Sequence, residues 1–301
     1  MVQSASQLRV RPVVTARVVR HRARPDIAAP IVKWAGGKSR LLDEITARRP
    51  LSFRRYFEPF LGGGALFFRM APQHAVVSDC NPDLINMYRC VAWHVEGVIR
   101  RLRTHRDNHS EQHFYATRSR WNERKGRQSD VDRAAMFVYL NKTCYNGLWR
   151  VNKKGLFNVP MGRYTDPPIC DAASLRAASK VLQRAELKQS GYEYVADRAG
   201  AHDFVYFDPP YQPVSETASF TSYTAGDFGE DDQRELARVA RNLARAGCAV
   251  MVSNSDTPFI RELYQGFDVA TVECNRQINS RASARGAVRE VIITANCSAT
   301  P

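Results

Sequence analysis

The residues best suited to chemistry are Asp208, Pro209, Pro210 and Tyr211, which directly follow the apolar run 204–207. The run predicts a buried strand that ends in a rigid turn, so an acid, a backbone carbonyl and an aromatic ring lie together. Open α/β sheets bind ligands at the carboxyl ends of their strands. Two acceptors beside a ring suit methylation of the exocyclic amine of a flipped base. By its turn chemistry alone, the tetrapeptide is also compatible with a plain surface turn.

A second candidate site is the glycine-rich segment 57–64, in which Gly62 and Gly64 precede an apolar helix at 65–70. Glycine lets the backbone approach a ligand closely and turn sharply into a helix. Asp79 follows a predicted strand at 75–78, where a carboxylate can accept both hydroxyls of a ribose. Phe67 stands where the dinucleotide pattern needs a third glycine, and no lysine lies nearby. The segment therefore favours a nucleoside without phosphates, such as S-adenosylmethionine.

The segment 33–39 has some features of a phosphate-binding loop, but Val32 stands where that motif requires its first glycine. We therefore reject the phosphate-loop interpretation. By itself the segment predicts a turn before a helix over 40–47.

The composition is that of a globular protein with an excess of positive charge. The 301 residues include 44 basic and 30 acidic side chains, a net charge of +14, which suggests a polyanionic partner, although many basic proteins are simply soluble. No run reaches the length of a membrane span. The seven cysteines form no C-x-x-C pair and the seven histidines no H-E-x-x-H pattern, so we expect reduced, structural cysteines and no metal.

The order of the predicted elements indicates an α/β fold in three parts. Residues 1–29 form a basic, mobile arm, either an inert extension or an auxiliary phosphate-binding segment. Residues 30–99 and 167–301 form the catalytic domain, and residues 100–166 an inserted domain. Within the catalytic domain a helix starts at Asn81 and runs to about Arg103, and another spans 230–246. A strand covers 248–252, a short helix opens near Pro258, and a final strand pair at 269–272 and 288–293 is joined by an arginine-rich loop.

A β-hairpin is predicted from two segments, 145–150 and 155–160, with its turn at 152–155. Basic tips and exposed aromatic side chains suit insertion into a DNA groove, with Arg150 donating to a base edge. A solvated structural hairpin fits the same local sequence.

These motifs, in this order, resemble the Dam family of DNA adenine-N6 methyltransferases, of the alpha arrangement, over about residues 31–294. Residues 33–38 are similar to that family's amino-terminal cofactor motif, 58–64 to its methionine-side cofactor loop, and 208–211 to its catalytic turn. Residues 145–147 and 155–164 resemble its target-recognition segment. Two shorter matches also fit: Phe220, Thr221 and Tyr223, and Ser253, Asn254 and Asp256.

The resemblance implies a Rossmann-like sheet of an S-adenosylmethionine-dependent methyltransferase, with an inserted, mainly helical target-recognition domain that carries the hairpin. It implies site-specific adenine-N6 methylation of double-stranded DNA at GATC, with the adenine flipped and no metal. The implied catalytic residues are Asp208, Pro209, Pro210 and Tyr211. The implied cofactor contacts are Trp34, Lys38, Glu58, Pro59, Phe60, Gly62, Gly64, Asp79 and Asp208. The implied DNA contacts are Lys33, Tyr145, Asn146, Leu148, Arg150, Pro160 and Arg163.

The same resemblance implies a monomeric, cytoplasmic protein of bacterial or phage type that associates with the nucleoid by binding DNA. It further implies that the protein acts alone or beside a separately encoded restriction endonuclease. Trp149 is larger than the family's residue at this position, a difference that concerns which DNA sequence is recognised. Two alternatives are an RNA adenine methyltransferase and a non-catalytic DNA-binding protein of the same fold. The hairpin argues against RNA because the A-form helix hides its major groove. The intact catalytic turn and cofactor loop argue against a non-catalytic protein.

Overall fold

The computed structural model describes residues 28–36, 38, 41–123, 128–214, 228–275 and 287–297. Its strands are β1 Tyr56–Glu58, β2 Ala75–Asp79, β3 Ala185–Gln189, β4 Phe204–Phe207, β5 Ala249–Ser255, β6 Asp268–Asn275 and β7 Ala287–Ala295. Its helices are α1 Leu42–Ala47, α2 Ala65–Met70, α3 Pro82–Asp107, α4 Glu111–Asn122, α5 Asp130–Thr143, α6 Ala172–Leu182, α7 Val195–Arg198, α8 Glu230–Arg245 and α9 Pro258–Leu263, with a short 3₁₀ turn at Tyr145–Gly147.

The seven strands form one sheet in the order β3-β2-β1-β4-β5-β7-β6. The first five strands in this order are parallel, and β7 is antiparallel to both of its neighbours. The strand order reverses between β1 and β4, and open α/β sheets form their ligand crevice at such a switch point. The predicted α/β fold and its final antiparallel strand pair are confirmed.

The sheet is buried on both faces. Side chains alternate along each central strand, so successive residues pack into cores on opposite faces. In β4, Phe204 and Tyr206 pack into the core on one face, and Val205 and Phe207 into the core on the other. Helices α1 to α6 contribute to the first core, and α7 to α9 to the second. The turn at Asp208 therefore follows a strand that is buried along its whole length.

Helix α3 begins as predicted, because Asn81 Oδ1 accepts from the backbone N–H groups of Asp83 and Leu84 at 3.0 and 3.2 Å. It runs to Asp107, beyond the predicted end at Arg103. Beyond Arg103, the His105 ring stacks on Tyr139 of α5 with ring centres 4.6 Å apart, and His105 Nδ1 lies 2.9 Å from His113 Nε2 of α4. The tertiary contacts extend the helix through a stretch whose composition is mostly polar and basic.

Helices α4 and α5 and the turn after them occupy the segment predicted to be mainly helical. Between α5 and α6 the described chain contains two isolated antiparallel bridges, Cys144 with Met161 and Val151 with Phe157. The Asn152–Gly155 turn is present, with the Gly155 N–H donating to the Asn152 carbonyl at 2.7 Å. The predicted hairpin is therefore short and irregular. Across the described ranges, no helix is both long and apolar enough to span a membrane.

Candidate active site

The Asp208 carboxylate stands immediately after β4 and is held by side chains from two other elements. Ser253 of β5 donates its hydroxyl to Asp208 Oδ1 at 2.8 Å, and the Tyr206 hydroxyl lies 3.0 Å from Ser253 Oγ. Lys38 Nζ lies 2.8 Å from the same oxygen. Lys38 is 8% exposed and Asp208 19%, so this ion pair is largely shielded from water. The carboxylate is preorganised at the crevice of the sheet.

A second, neutral network holds the backbone of the turn at Pro210 and Gln212. The Gln233 amide of α8 donates to the Pro210 carbonyl at 2.8 Å, and Asn254 Nδ2 donates to Gln233 Oε1 at 3.0 Å. The Gln212 N–H then donates to Asn254 Oδ1 at 2.9 Å. Gln233 was not identified from the sequence; the signal was a polar residue on the otherwise apolar face of a predicted helix.

Lys38 also contacts the aromatic member of the turn. Its ammonium lies 4.4 Å from the centre of the Tyr211 ring and donates to the Gly36 carbonyl at 2.6 Å. The Tyr211 hydroxyl is buried and has no hydrogen-bond partner among the described residues. The structure thus brings Lys38, a residue of the amino-terminal motif, into direct contact with the turn more than 160 residues later.

The glycine-rich loop turns sharply between β1 and α2. Gly62 and Gly64 have φ values of 47° and 66°, in the left-handed region that glycine adopts without strain. A side chain at Gly62 would place its Cβ 2.8 Å from Cδ1 of Trp34. Trp34 therefore lies directly against the loop. This contact agrees with the expectation that the segments 33–38 and 58–64 bind one cofactor together.

Asp79 is the last residue of β2 and links the loop to the start of α3. Its two carboxylate oxygens accept from the backbone N–H groups of Gly62 and Asn81, each at 2.9 Å. The Tyr88 hydroxyl donates to the Gly62 carbonyl at 2.7 Å. Burial raises the pKa of Asp79 above its ordinary value, and the two N–H donors oppose that rise. The acid is rigidly placed beside the loop, in the position suited to a ribose.

Glu58, at the end of β1, is only 3% exposed. Burial raises the pKa of its carboxyl to about 8. The Tyr56 hydroxyl, which donates to Glu58 Oε2 at 2.8 Å, opposes this rise, whereas the nearby charge of Asp208 adds to it. Pro59 and Phe60 follow Glu58, and the Pro59 carbonyl accepts from the Ser78 hydroxyl at 3.3 Å. A buried acid that can gain or lose a proton therefore lies beside the cofactor loop and Asp208.

Lys33 is attached to the recognition segment by its backbone. Its N–H donates to Asn141 Oδ1 at 2.9 Å, and its carbonyl accepts from Asn141 Nδ2 at 2.8 Å. A Cβ at Gly147 would lie 2.6 Å from Lys33 Cδ, so only glycine fits against this lysine. Lys33 Nζ lies 5.2 Å from the centre of the Tyr164 ring. Asn141, which the sequence did not single out, also donates to the Gly147 carbonyl at 3.2 Å and so joins the segment at 33–38 to that at 145–147.

Apart from Lys33, the implied DNA contacts lie along one stretch of chain, 145–163, and most of them are exposed. Exposed side chains are those of Tyr145, Asn146, Arg150, Pro160 and Arg163, and Leu148 is half-buried. Tyr145, at 55% exposure, is joined to the far side of the hairpin because its N–H donates to the Pro160 carbonyl at 2.9 Å. Arg150 Nε lies 3.4 Å from Asn158 Oδ1.

The expectation of exposed aromatic side chains on the hairpin is wrong for two residues. Trp149 is 8% exposed and Phe157 is 1% exposed, with their rings stacked at 4.5 Å. Trp149 also packs 4.1 Å from the Phe137 ring and 5.3 Å from Trp121. These rings form a core between the helices and the hairpin. The size of Trp149 therefore affects how the hairpin is anchored, and the side chain does not face a bound duplex.

Some motifs lie outside the described residues, namely the match at Phe220, Thr221 and Tyr223, the loop with Arg276, Arg281 and Arg285, and nearly all of the basic arm. Among the residues that are described, no group of His, Cys, Asp or Glu side chains could hold a metal ion.

Comparison with known proteins matches residues 34–278 to the family described as D12 class N6 adenine-specific DNA methyltransferase. The type II methyltransferase M1.LlaDCHI of Lactococcus lactis subsp. cremoris is 43% identical over 270 residues, covering 88% of this chain and 94% of that protein. The type II methyltransferase M.MjaIII of Methanocaldococcus jannaschii is 41% identical, with coverages of 85% and 94%. A DNA adenine methylase of Vibrio cholerae is 36% identical, with coverages of 87% and 94%.

Proposed function

Because the chain belongs to the D12 class N6 adenine-specific DNA methyltransferase family, we propose that it methylates N6 of an adenine flipped out of duplex DNA, within GATC sites. The methyl donor is S-adenosylmethionine. The observation that supports this most is the geometry of the catalytic turn, in which the shielded Asp208 carboxylate and the Tyr211 ring both contact the Lys38 ammonium.

The two acceptors account for activation of the amine. The lone pair of adenine N6 is delocalised into the ring, so the amine must become tetrahedral to attack a methyl group. Asp208 and the Pro209 carbonyl accept its two N–H groups and direct the lone pair outward, while Tyr211 stacks on the base. Extrusion of the base costs a few kcal/mol, which stacking and groove contacts offset.

Lys38 occupies this position in the present conformation. Its ammonium donates to Asp208 and lies over the Tyr211 ring, where an adenine needs to place its amino group and its ring. We therefore propose that Lys38 withdraws as the base enters and that it then contacts the cofactor. The exchange preserves the hydrogen bonding of Asp208, because one N–H donor replaces another.

The cofactor supplies an electrophilic methyl group on a sulfonium. As the bond from N6 to the methyl carbon forms, the bond from that carbon to sulfur breaks, and the thioether leaves. N6 is far more acidic once methylated, so its proton passes to Asp208 or water after transfer, and full deprotonation before attack is not needed. Trp34, Lys38, Asp208 and the loop formed by Glu58, Pro59, Phe60, Gly62 and Gly64 hold the donor, with Asp79 on its ribose hydroxyls.

The exposed face of the recognition segment supports the DNA part of the proposal. Arg150 is a donor at the base edges, and Leu148 and Pro160 lie beside it on the same segment. Lys33 contacts the outer guanine, Tyr145 and Asn146 hold the duplex around the extruded base, and Arg163 contacts the backbone. Residues 100–166 act as the target-recognition domain. We further propose that the protein works as a cytoplasmic monomer, alone or beside a separately encoded restriction endonuclease.

Substitution of the catalytic acid tests the proposed function. Asp208→Ala removes one of the two acceptors, so methyl transfer to duplex DNA is abolished while S-adenosylmethionine still binds. Transfer of a radiolabelled methyl group measures the first property and isothermal titration calorimetry the second. Asp197→Ala, which removes an exposed carboxylate of α7 outside the site and the recognition domain, is the matched control and keeps full activity. Turnover by Asp208→Ala at the wild-type rate would remove Asp208 from the mechanism.

A further inference from the structure

Asn122, the last residue of α4, contacts the recognition hairpin with both ends of its side-chain amide. Asn122 Nδ2 donates to the Phe157 carbonyl at 3.0 Å, and the Phe157 N–H donates to Asn122 Oδ1 at 2.9 Å. The amide thus satisfies both backbone groups of one residue, as a neighbouring strand would. One turn earlier, Arg118 Nη1 donates to the Val159 carbonyl at 3.2 Å.

The hairpin depends on such outside contacts because its own pairing is weak. At its base the Tyr145 N–H donates to the Pro160 carbonyl at 2.9 Å and Cys144 bridges to Met161. Towards the tip, Val151 and Phe157 form a single bridge, the Asn152 N–H donates to the Leu156 carbonyl at 2.9 Å, and the Asn158 N–H reaches the Arg150 carbonyl only at 3.4 Å. A two-stranded hairpin of this size is marginally stable by itself. Its register therefore depends on the hydrogen bonds from α4 and on the packing of Trp149 and Phe157 in the aromatic core.

Phe157 couples the Asn122 amide to the base-reading side of the hairpin. Its ring stacks inward on Trp149, and its backbone is fixed by Asn122. The adjacent residues, Asn158 and Arg150, then project outward, with Arg150 Nε 3.4 Å from Asn158 Oδ1. A slip of one residue would exchange the inward and outward side chains of this strand. The position of Arg150 therefore depends on the register that Asn122 holds.

We propose that Asn122 is a positioning residue for sequence choice, which fixes the register of the hairpin and so the placement of Arg150 and Asn158 against DNA. This inference rests on the proposed function. A merely structural role for Asn122 would lower stability and affect all DNA sequences alike. A positioning role changes the discrimination between sequences, because a misplaced donor loses the preferred base while contacts with the DNA backbone remain.

The test compares Asn122→Ala with Asn86→Ala. Asn86 of α3 donates its amide to the Asp130 carbonyl at 3.0 Å, and so joins two helices without touching the hairpin. Wild-type methylation sites are first mapped on plasmid DNA. The kcat/KM of each variant is then measured on duplexes with the mapped site and with one changed base pair. Thermal denaturation and S-adenosylmethionine binding are measured alongside.

We expect Asn122→Ala to reduce the preference for the mapped site by roughly tenfold, mainly through KM for DNA, with cofactor affinity unchanged. Asn86→Ala keeps the wild-type preference. Asn122→Asp, which keeps the shape of the side chain but sets an oxygen against the Phe157 carbonyl, reduces the preference as well.

An unchanged preference in folded Asn122→Ala and Asn122→Asp would overturn the proposal, as would an equal loss of preference in Asn86→Ala. Failure of both Asn122 variants to fold would also overturn it, because the side chain would then serve stability alone. A wild-type protein that methylates no DNA would instead refute the proposed function. The two failures are therefore distinguishable.

Discussion

Glu58 is a buried acid in β1 whose charge state can be tested by pH. Burial raises the pKa of its carboxyl to about 8, so roughly nine in ten molecules carry a neutral Glu58 at pH 7. Glu58→Gln replaces the neutral acid with a neutral side chain of the same shape, and its carbonyl can still accept from the Tyr56 hydroxyl. The variant should therefore fold normally, but its stability should no longer depend on the ionisation of residue 58.

The sign of the effect follows from the direction of the pKa change. The pKa is higher in the folded protein than its ordinary value of 4.5, so the folded state retains the proton over this window. The stability contributed by the neutral acid is fully present below pH 4.5 and is lost as the pH rises through about 8. At 1.36 kcal/mol for each pH step, the loss is at most roughly 5 kcal/mol. Relaxation around the carboxylate reduces it, and we expect roughly 2 to 4 kcal/mol.

Urea unfolding of both proteins between pH 5 and pH 8.5 measures this difference. We expect the free energy of unfolding of the wild type to fall relative to that of Glu58→Gln as the pH rises. Glu96→Gln is the matched control: Glu96 is exposed and paired with Arg176, and its pKa is lowered by that hydrogen bond, so its substitution leaves the slope above pH 5 unchanged. If the free energies of unfolding of the wild type and Glu58→Gln depend on pH in the same way, the claim that Glu58 is neutral in the folded protein is refuted.

Two further predictions concern the recognition hairpin. Trp149→Ala should lower the free energy of unfolding by roughly 3 to 5 kcal/mol, because it leaves a cavity in the core between the helices and the hairpin. Tyr145→Ala removes a side chain that is 55% exposed and should lower it by less than about 1 kcal/mol. Equal losses for the two variants in urea unfolding would contradict the buried position of Trp149. Arg150→Ala should relax or abolish sequence choice at a cost of roughly 1 to 3 kcal/mol, measured as kcat/KM on duplexes that differ by one base pair, and an unchanged preference would remove Arg150 from the readout.

The sequence predicted the parts of the site whose information is local. The apolar run before Asp208, the glycines at 62 and 64, and the Asn81 cap each fix a short element by their own conformational preferences. The resemblance named Asp79 and Asp208 together among the cofactor contacts, and both stand at the carboxyl ends of parallel strands, β2 and β4.

The rest could not be predicted because it depends on contacts between distant segments. Periodicity does not reveal that Lys38 reaches Asp208, or that Gln233 of α8 holds the Pro210 carbonyl. The direction in which Trp149 points was misjudged because a hairpin has two faces, and only the Phe137 and Trp121 rings decide which is buried. Helix α3 exceeded its predicted end for the same reason: His105 stacks on Tyr139 of α5, a contact that the local composition does not indicate.

The most direct test of the central claim is methylation of plasmid DNA by the purified protein. Unmethylated plasmid is incubated with S-adenosylmethionine and protein, and modified adenines are mapped by single-molecule sequencing. We predict N6-methyladenine confined to GATC. Methylation at another sequence would keep the mechanism at Asp208 and contradict the proposed readout. An absence of methylated adenine from a protein that binds the cofactor would contradict the account of this site as a DNA methyltransferase.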